Sequence, residues 1–184
     1  MMNIKLPYRI PADLSTELLD FVNQKEYTFT LHGLTKHNRV INKFLKLDDL
    51  NNDLSKKVLQ FGSSIFDDMN LKNRIREEYM GYSLMVVQND GFIDSHIDGR
   101  DKNNFLHIRI NFLLSKSDIG GDPIIDDVKY EIKEGESWFN IASIWKHGCT
   151  EVKGDKPRIT LSLGHYVEPK EVKNFLNNFL FASY

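Results

Sequence analysis

Hydrophobic residues recur along this chain with two periods, and the switch between them divides it. In "PADLSTELLDFVNQ", Leu14, Leu18, Phe21 and Val22 return at helical spacing, with Pro11 and Asp13 as start signals. "LDDLNNDLSKKVLQFGSSIFDDM" repeats that pattern through Leu50, Leu54, Val58, Phe61 and Ile65. A short strand is expected between them at "YTFTLHG". The first 75 or so residues therefore read as mainly helical.

From about residue 78 the pattern becomes that of strands. "YMGYSLMVVQ" is apolar and rich in β-formers. "FLHIRINFLL" alternates, with Leu106, Ile108, Ile110 and Phe112 on one face and His107, Arg109 and Asn111 on the other. "RITLSLGHYV" sets Ile159, Leu161 and Leu163 opposite Arg158, Thr160 and Ser162. "VKYEIKEGES" and "WFNIASIW" add strands between turn signals, and the charged run "DDVKYEIKEGE" reads as a solvated hairpin. Trp138 and Trp145 read as core or pocket wall. The tail "PKEVKNFLNNFLFASY" returns to helical spacing through Val172, Phe175, Leu176, Phe179 and Leu180. The expected class is mainly β with an α layer: a sandwich or jelly roll with N-terminal helices and a C-terminal helix. One domain is expected over 1–184, with its strand-rich core at about 78–167.

Composition narrows the function classes. A hydrophobic fraction of 41% and a charged fraction of 27% in 184 residues suit one folded domain and not a disordered chain. With a net charge of −2 and scattered Lys and Arg, no nucleic-acid partner is expected. No run approaches the roughly 18 apolar residues of a membrane helix, and "MMNIKLPYRIPADLS" lacks the apolar stretch of a signal peptide. Cys149, the single cysteine, excludes an intrachain disulfide and a four-cysteine zinc site. A soluble cytoplasmic protein is expected, of unassigned oligomeric state.

One stretch carries chemistry. "GFIDSHIDGR" ends a strand-like run with His96 and Asp98, residues i and i+2, roughly 7 Å apart at Cα and on one face. An imidazole and a carboxylate so placed can close on one cation from one side. The candidates for a third ligand elsewhere in the chain are His32, His37, His107, His147 and His165. Only His147 is followed by an anion-binding pair: in "WKHGCTEVKGDKPRITLSLG", Arg158 and Thr160 share a strand face, and a guanidinium fork beside a hydroxyl suits a carboxylate. Other readings are weaker. "DSHIDGRDKNNF" has Gly99 at the sixth place of a calcium loop, but Phe105 where the bidentate Glu belongs. Cys149 beside His147 in sequence carries no sign of a nucleophile–base hydrogen bond.

His96, Asp98, His147, Arg158 and Thr160, in this order and spacing, resemble the signature of the iron(II)- and 2-oxoglutarate-dependent dioxygenases. The resemblance runs from about Leu84 to Gly164, including the Gly-Gly turn and the following strands of "GGDPIIDDVKYEIKEGESWFN". It implies a double-stranded β-helix, Fe(II) held by His96, Asp98 and His147, and 2-oxoglutarate anchored by Arg158 and Thr160. O2 is the oxidant, and ascorbate is an expected stimulant. It further implies co-substrate or substrate contacts at Tyr82, Gln88, Arg109 and Asn111. "LMVVQNDGFIDSHID" looks closest to the prolyl-hydroxylase-like branch, and "RIN" with "EGESWFN" to the aspartyl/asparaginyl-hydroxylase-like branch. The expected reaction is hydroxylation of an amino acid, a related small metabolite or a peptidyl side chain. The alternative is a non-catalytic, cupin-like jelly roll that binds a metal or ligand.

Overall fold

The computed structural model describes residues 4–24, 30–34, 40–99 and 104–181. In chain order its elements are β1 (Lys5–Arg9), α1 (Ala12–Asn23), β2 (Thr30–Leu34), β3 (Val40–Lys46), a 3-10 turn (Leu47–Asp49), α2 (Asp53–Asp68), β4 (Arg74–Arg76), β5 (Tyr82–Val87), β6 (Ile93–His96) and β7 (Leu106–Ser115). There follow β8 (Ile119–Gly120), β9 (Pro123–Ile125), β10 (Val128–Lys129), β11 (Glu136–Ile141), β12 (His147–Cys149), β13 (Val152–Lys153), β14 (Arg158–Val167) and α3 (Pro169–Phe181).

The large antiparallel sheet runs β1-β11-β7-β14-β5-β3-β2, with β4 added beside β14. A smaller sheet runs β10-β9-β12-β6, and β13 pairs with β8. Alternation assigns the faces of the large sheet. Ile108, Ile110, Phe112 and Leu114 of β7, Leu161 and Leu163 of β14, and Leu84 and Val86 of β5 enter one core with Leu14 and Leu18 of α1, Val58 and Phe66 of α2, and Val172 of α3. The helices thus cover one face. Residues of opposite parity face the smaller sheet, where Leu113 and Trp138 pack with Ile4, Ile125 and Ile132 in a second apolar cluster.

The N-terminal third departs from the helical expectation. The two expected helices form, α2 with a capping box in which Asn52 Oδ1 accepts from the Ser55 N–H. Yet among the described residues β1, β2 and β3 share this region, and β1 and β3 pair with β11 and β5. The expected strand "YTFTLHG" appears as β2, displaced toward its C-terminal end, while residues 25–29 lie outside the described set. The expected hairpin is less solvated than its charges imply, because Ile132 within it is fully buried.

Candidate active site

The two sheets enclose a pocket at their open end. Its walls are Met85 of β5, Arg109 and Asn111 of β7, Trp138 and Asn140 of β11, and Arg158, Thr160 and Ser162 of β14; His96, Ile125 and His147 close it from the smaller sheet. Polar residues reach the interior here because the parity that sends Ile159, Leu161 and Leu163 toward the helices sends their neighbours inward.

The β12–β6 register sets His147 directly opposite His96, so both imidazoles stand on one face with ring centres 4.5 Å apart. Asp98, just past the end of β6, is held by its backbone N–H on Ala142 O at 2.8 Å. Its Oδ1 lies 3.2 Å from His96 Nε2 and 3.6 Å from His147 Nε2. Ligands about 2.1 Å from one ion and at right angles sit ~3 Å apart, so one divalent ion fits this spacing. The three ligand atoms all lie within 4.8 Å of one another.

Hydrogen bonding fixes which nitrogens face the centre. Nδ1 of His96 is 2.7 Å from Asp94 O, and Nδ1 of His147 is 3.1 Å from Trp145 O. A carbonyl only accepts, so each Nδ1 carries hydrogen and each neutral ring turns its Nε2 lone pair on Asp98. Three acceptors converging on one point require a cation between them. Without a metal, a proton on Nε2 can take that place, and the titration shifts describe that state. The hydrogen bond to Asp98 raises the His96 pKa. Burial disfavours the Asp98 carboxylate, but the hydrogen bonds from His147 and His96 and the charge of Arg109 prevail, holding its pKa well below the ordinary range.

The strand bearing Arg158 and Thr160 presents an anion site. Arg158 is 3% exposed, stacks over Trp138 at 5.7 Å, and among the described residues its Nε has no acceptor. Thr160 Oγ1 and Asn140 Nδ2 are likewise buried and unpaired, and both residues line the pocket. Unsatisfied buried donors are uncommon in folded proteins, and a guanidinium among them calls for an anion. Gly121, in the left-handed region at φ +69°, is needed here: a Cβ would press on Arg158 Cδ at 3.0 Å.

The remaining expected contacts divide. Asn111 lines the pocket and donates to Asn140 Oδ1 at 3.3 Å. Arg109 lines it too, but its guanidinium is committed to Asp98, Glu77 and Ser162. Tyr82 stands on the opposite face of β5, which corrects the expected co-substrate contact: even-numbered β5 residues face the helices. Its hydroxyl lies 2.8 Å from His165 Nε2, and its ring fills the notch left by Gly62 on α2. Gln88 lies beyond the end of β5, outside the pocket wall, where its carbonyl accepts from Gly91 N–H in a turn. Of the other histidines, His165 is buried behind the sheet, where desolvation lowers its pKa to about 3. His107 Nδ1 lies 3.5 Å from the outer oxygen of Asp98, and burial lowers its pKa to about 4. The side chain of His32 and all of His37 lie outside the described residues. Cys149 is buried beside Val87 and Val152, and desolvation raises its pKa, which opposes a nucleophilic role. The calcium-loop stretch begins within β6 and ends just before β7, strands where an EF-hand has helices. Glu77 and Asn140 escaped the sequence reading. Neither belongs to a motif, although Asn140 lies in an alternating strand two residues after Trp138.

No family model and no curated protein matches the sequence. Solved structures share the fold. The viral collagen prolyl hydroxylase of Paramecium Bursaria Chlorella virus-1, solved as a 2OG complex, aligns at a TM-score of 0.61 with 12% identity, over 89% of this chain and 95% of its own. The Trichoplax adhaerens prolyl hydroxylase in complex with a hypoxia inducible factor peptide aligns at 0.64 with 14% identity, over 92% and 85%. HygX from Streptomyces hygroscopicus, solved with nickel, 2-oxoglutarate and hygromycin B, aligns at 0.64 with 8% identity, over 88% and 81%.

Proposed function

We propose that this chain is an iron(II)- and 2-oxoglutarate-dependent dioxygenase, built on a double-stranded β-helix, that hydroxylates a small metabolite, an amino acid or a peptidyl side chain. One observation carries the reading: a single pocket holds both a His96–Asp98–His147 acceptor cluster and a buried, unpaired Arg158–Thr160 anion site. A metal alone would explain the first group and a small acid alone the second. A chelating 2-oxo acid explains why they share a cavity.

The protein's own part is placement. His96 and His147 present Nε2, fixed by their Nδ1 bonds to backbone carbonyls, and Asp98 presents Oδ1. These three residues would hold an iron from one side and leave the pocket beyond it for exchangeable ligands. Arg158 offers parallel donors to the remote carboxylate of 2-oxoglutarate, with Thr160 adding a hydroxyl, and the Trp138 ring shields that pair from water. Asn111 and Asn140 stand on the same wall with amide donors for the oxygens of a bound acid. Bound iron supplies activation of O2 coupled to decarboxylation of the 2-oxo acid, releasing succinate and CO2. No helix among the described residues is long and apolar enough to cross a membrane.

The test precedes knowledge of the substrate. Protein loaded anaerobically with Fe(II) should develop a visible charge-transfer band when 2-oxoglutarate is added. On admission of air, with ascorbate present, it should release succinate slowly. A mass gain of one oxygen on an added amino acid or peptide would identify hydroxylation. Metal binding with neither band nor succinate would replace this reading by the cupin-like binding module.

A further inference from the structure

Arg109 lies between two carboxylates. Its Nη2 donates to Glu77 Oε2 at 2.8 Å, its Nε to Asp98 Oδ2 at 3.2 Å and its Nη1 to Ser162 Oγ at 3.1 Å. Glu77 is 3% exposed, and its carboxylate also accepts the backbone N–H groups of Tyr79, Met80 and Gly81 at 2.6–2.8 Å. The pair sits in a niche that the sequence keeps open. Gly164 continues the inward row of β14 after Ser162, and a Cβ there would stand 3.1 Å from Gly81 O, 3.2 Å from Glu77 Oε2 and 3.3 Å from Arg109 Nη1.

A buried arginine beside a metal-binding carboxylate creates a conflict. Acting alone, its charge repels a divalent ion and takes Asp98 as its own counter-ion. Glu77 removes that conflict. With Glu77 and Arg109 neutralising each other, the triad keeps the single negative charge of Asp98. Arg109 still occupies Oδ2, so Oδ1 is the oxygen left facing both imidazoles.

We propose that Glu77 is a positioning residue of the metal centre, acting through Arg109 to leave the negative charge of Asp98 available to the ion and its carboxylate monodentate. This rests on the metal-site reading above. It also ties the 78–81 segment to the centre, because the same carboxylate holds that segment's backbone.

The test is Co(II) titration of the full chain, read by the visible absorption of bound cobalt, with circular dichroism as the check on folding. Wild type should bind. Glu77→Gln should bind 10–100-fold more weakly, the range for disrupting a group that supports a ligand. The double variant Glu77→Gln/Arg109→Met removes the cation as well and should bind more tightly than Glu77→Gln alone, a non-additivity that a merely structural role would not produce. Wild-type affinity in Glu77→Gln, or a double variant no tighter than it, overturns the assignment. If Glu77→Gln fails to fold, Gly164→Ala, which crowds the pair and keeps both charges, should weaken cobalt binding at least threefold, and unchanged affinity would then sink the idea. A wild-type chain that binds no cobalt overturns the metal-site reading beneath it.

Discussion

Replacing Arg158 with Met should move stability and co-substrate affinity in opposite directions. In the apo protein the guanidinium is 3% exposed, its Nε has no acceptor among the described residues, and the Trp138 face at 5.7 Å is its recorded favourable contact. Leaving such a donor unsatisfied costs about 1–3 kcal/mol. A methionine, shorter but apolar, removes that cost and still fills part of the space beside Trp138. For a domain of this size, 1 kcal/mol shifts Tm by about 2–4 °C, so apo Arg158→Met should melt roughly 2–12 °C higher. Binding should show the reverse. Truncating one partner of a buried charge pair costs about 2–5 kcal/mol. At 1.4 kcal/mol per tenfold, 2-oxoglutarate affinity should fall at least ~30-fold. Anaerobic calorimetry on Fe(II)-loaded protein measures this, with iron affinity as the control. Affinity for 2-oxoglutarate within threefold of wild type would refute Arg158 as the anchor, and a parallel loss of iron would make it a structural residue.

Other substitutions probe the remaining assignments. His96→Ala and His147→Ala should each abolish stoichiometric Fe(II) binding while preserving the far-ultraviolet β signature, because both side chains point into a pocket; unchanged metal stoichiometry would remove that residue from the triad. Burial depresses the His165 pKa to about 3, so the unfolded chain takes up a proton that the folded chain refuses between about pH 6.5 and 3. Stability therefore falls as pH drops through that window, by on the order of 5 kcal/mol from this residue, and His165→Gln should flatten the acid limb of a urea-unfolding pH profile. The buried Cys149 thiol, its pKa raised by desolvation, should resist a thiol-modifying reagent in native protein and react at once in denaturant.

How much of this was legible in the sequence follows from where the information lies. Strand alternation is local, and it set the faces of β7 and β14 correctly: Arg109 and Asn111 on one strand, and Arg158 and Thr160 on the other, all line the pocket. His96, Asp98 and His147 were legible as a spacing, and a single strand pairing brings them together. Tyr82 and Gln88 show where that reasoning stops. Placing them required the parity of β5, and its apolar run "YSLMVV" shows no polar alternation from which parity can be read. The strands of the N-terminal third were hidden for a related reason. β1 contains Pro7, and it earns its place by pairing with β11 more than 120 residues later, a partner no local window contains.

Glu77 was invisible for a different reason, and its position clarifies what the sequence motif leaves out. A motif records the atoms expected to touch the metal or co-substrate, whereas the arginine on Asp98 Oδ2 is itself held by a residue on another part of the chain. Glu77 immediately follows β4 and meets Arg109 only because β4 and β7 flank β14 on opposite sides. The gap between them is closed across Gly164, whose missing side chain lets an arginine and a glutamate meet over the strand separating their elements. Seen this way, the glycine in "LSLGHYV" is as much a part of the site as Arg158 and Thr160, six and four residues before it on the same strand face. A Cβ at 164 would press on Gly81 O, Glu77 Oε2 and Arg109 Nη1 at 3.1–3.3 Å, so the strand that carries Arg158 and Thr160 also sets the room in which Glu77 and Arg109 meet.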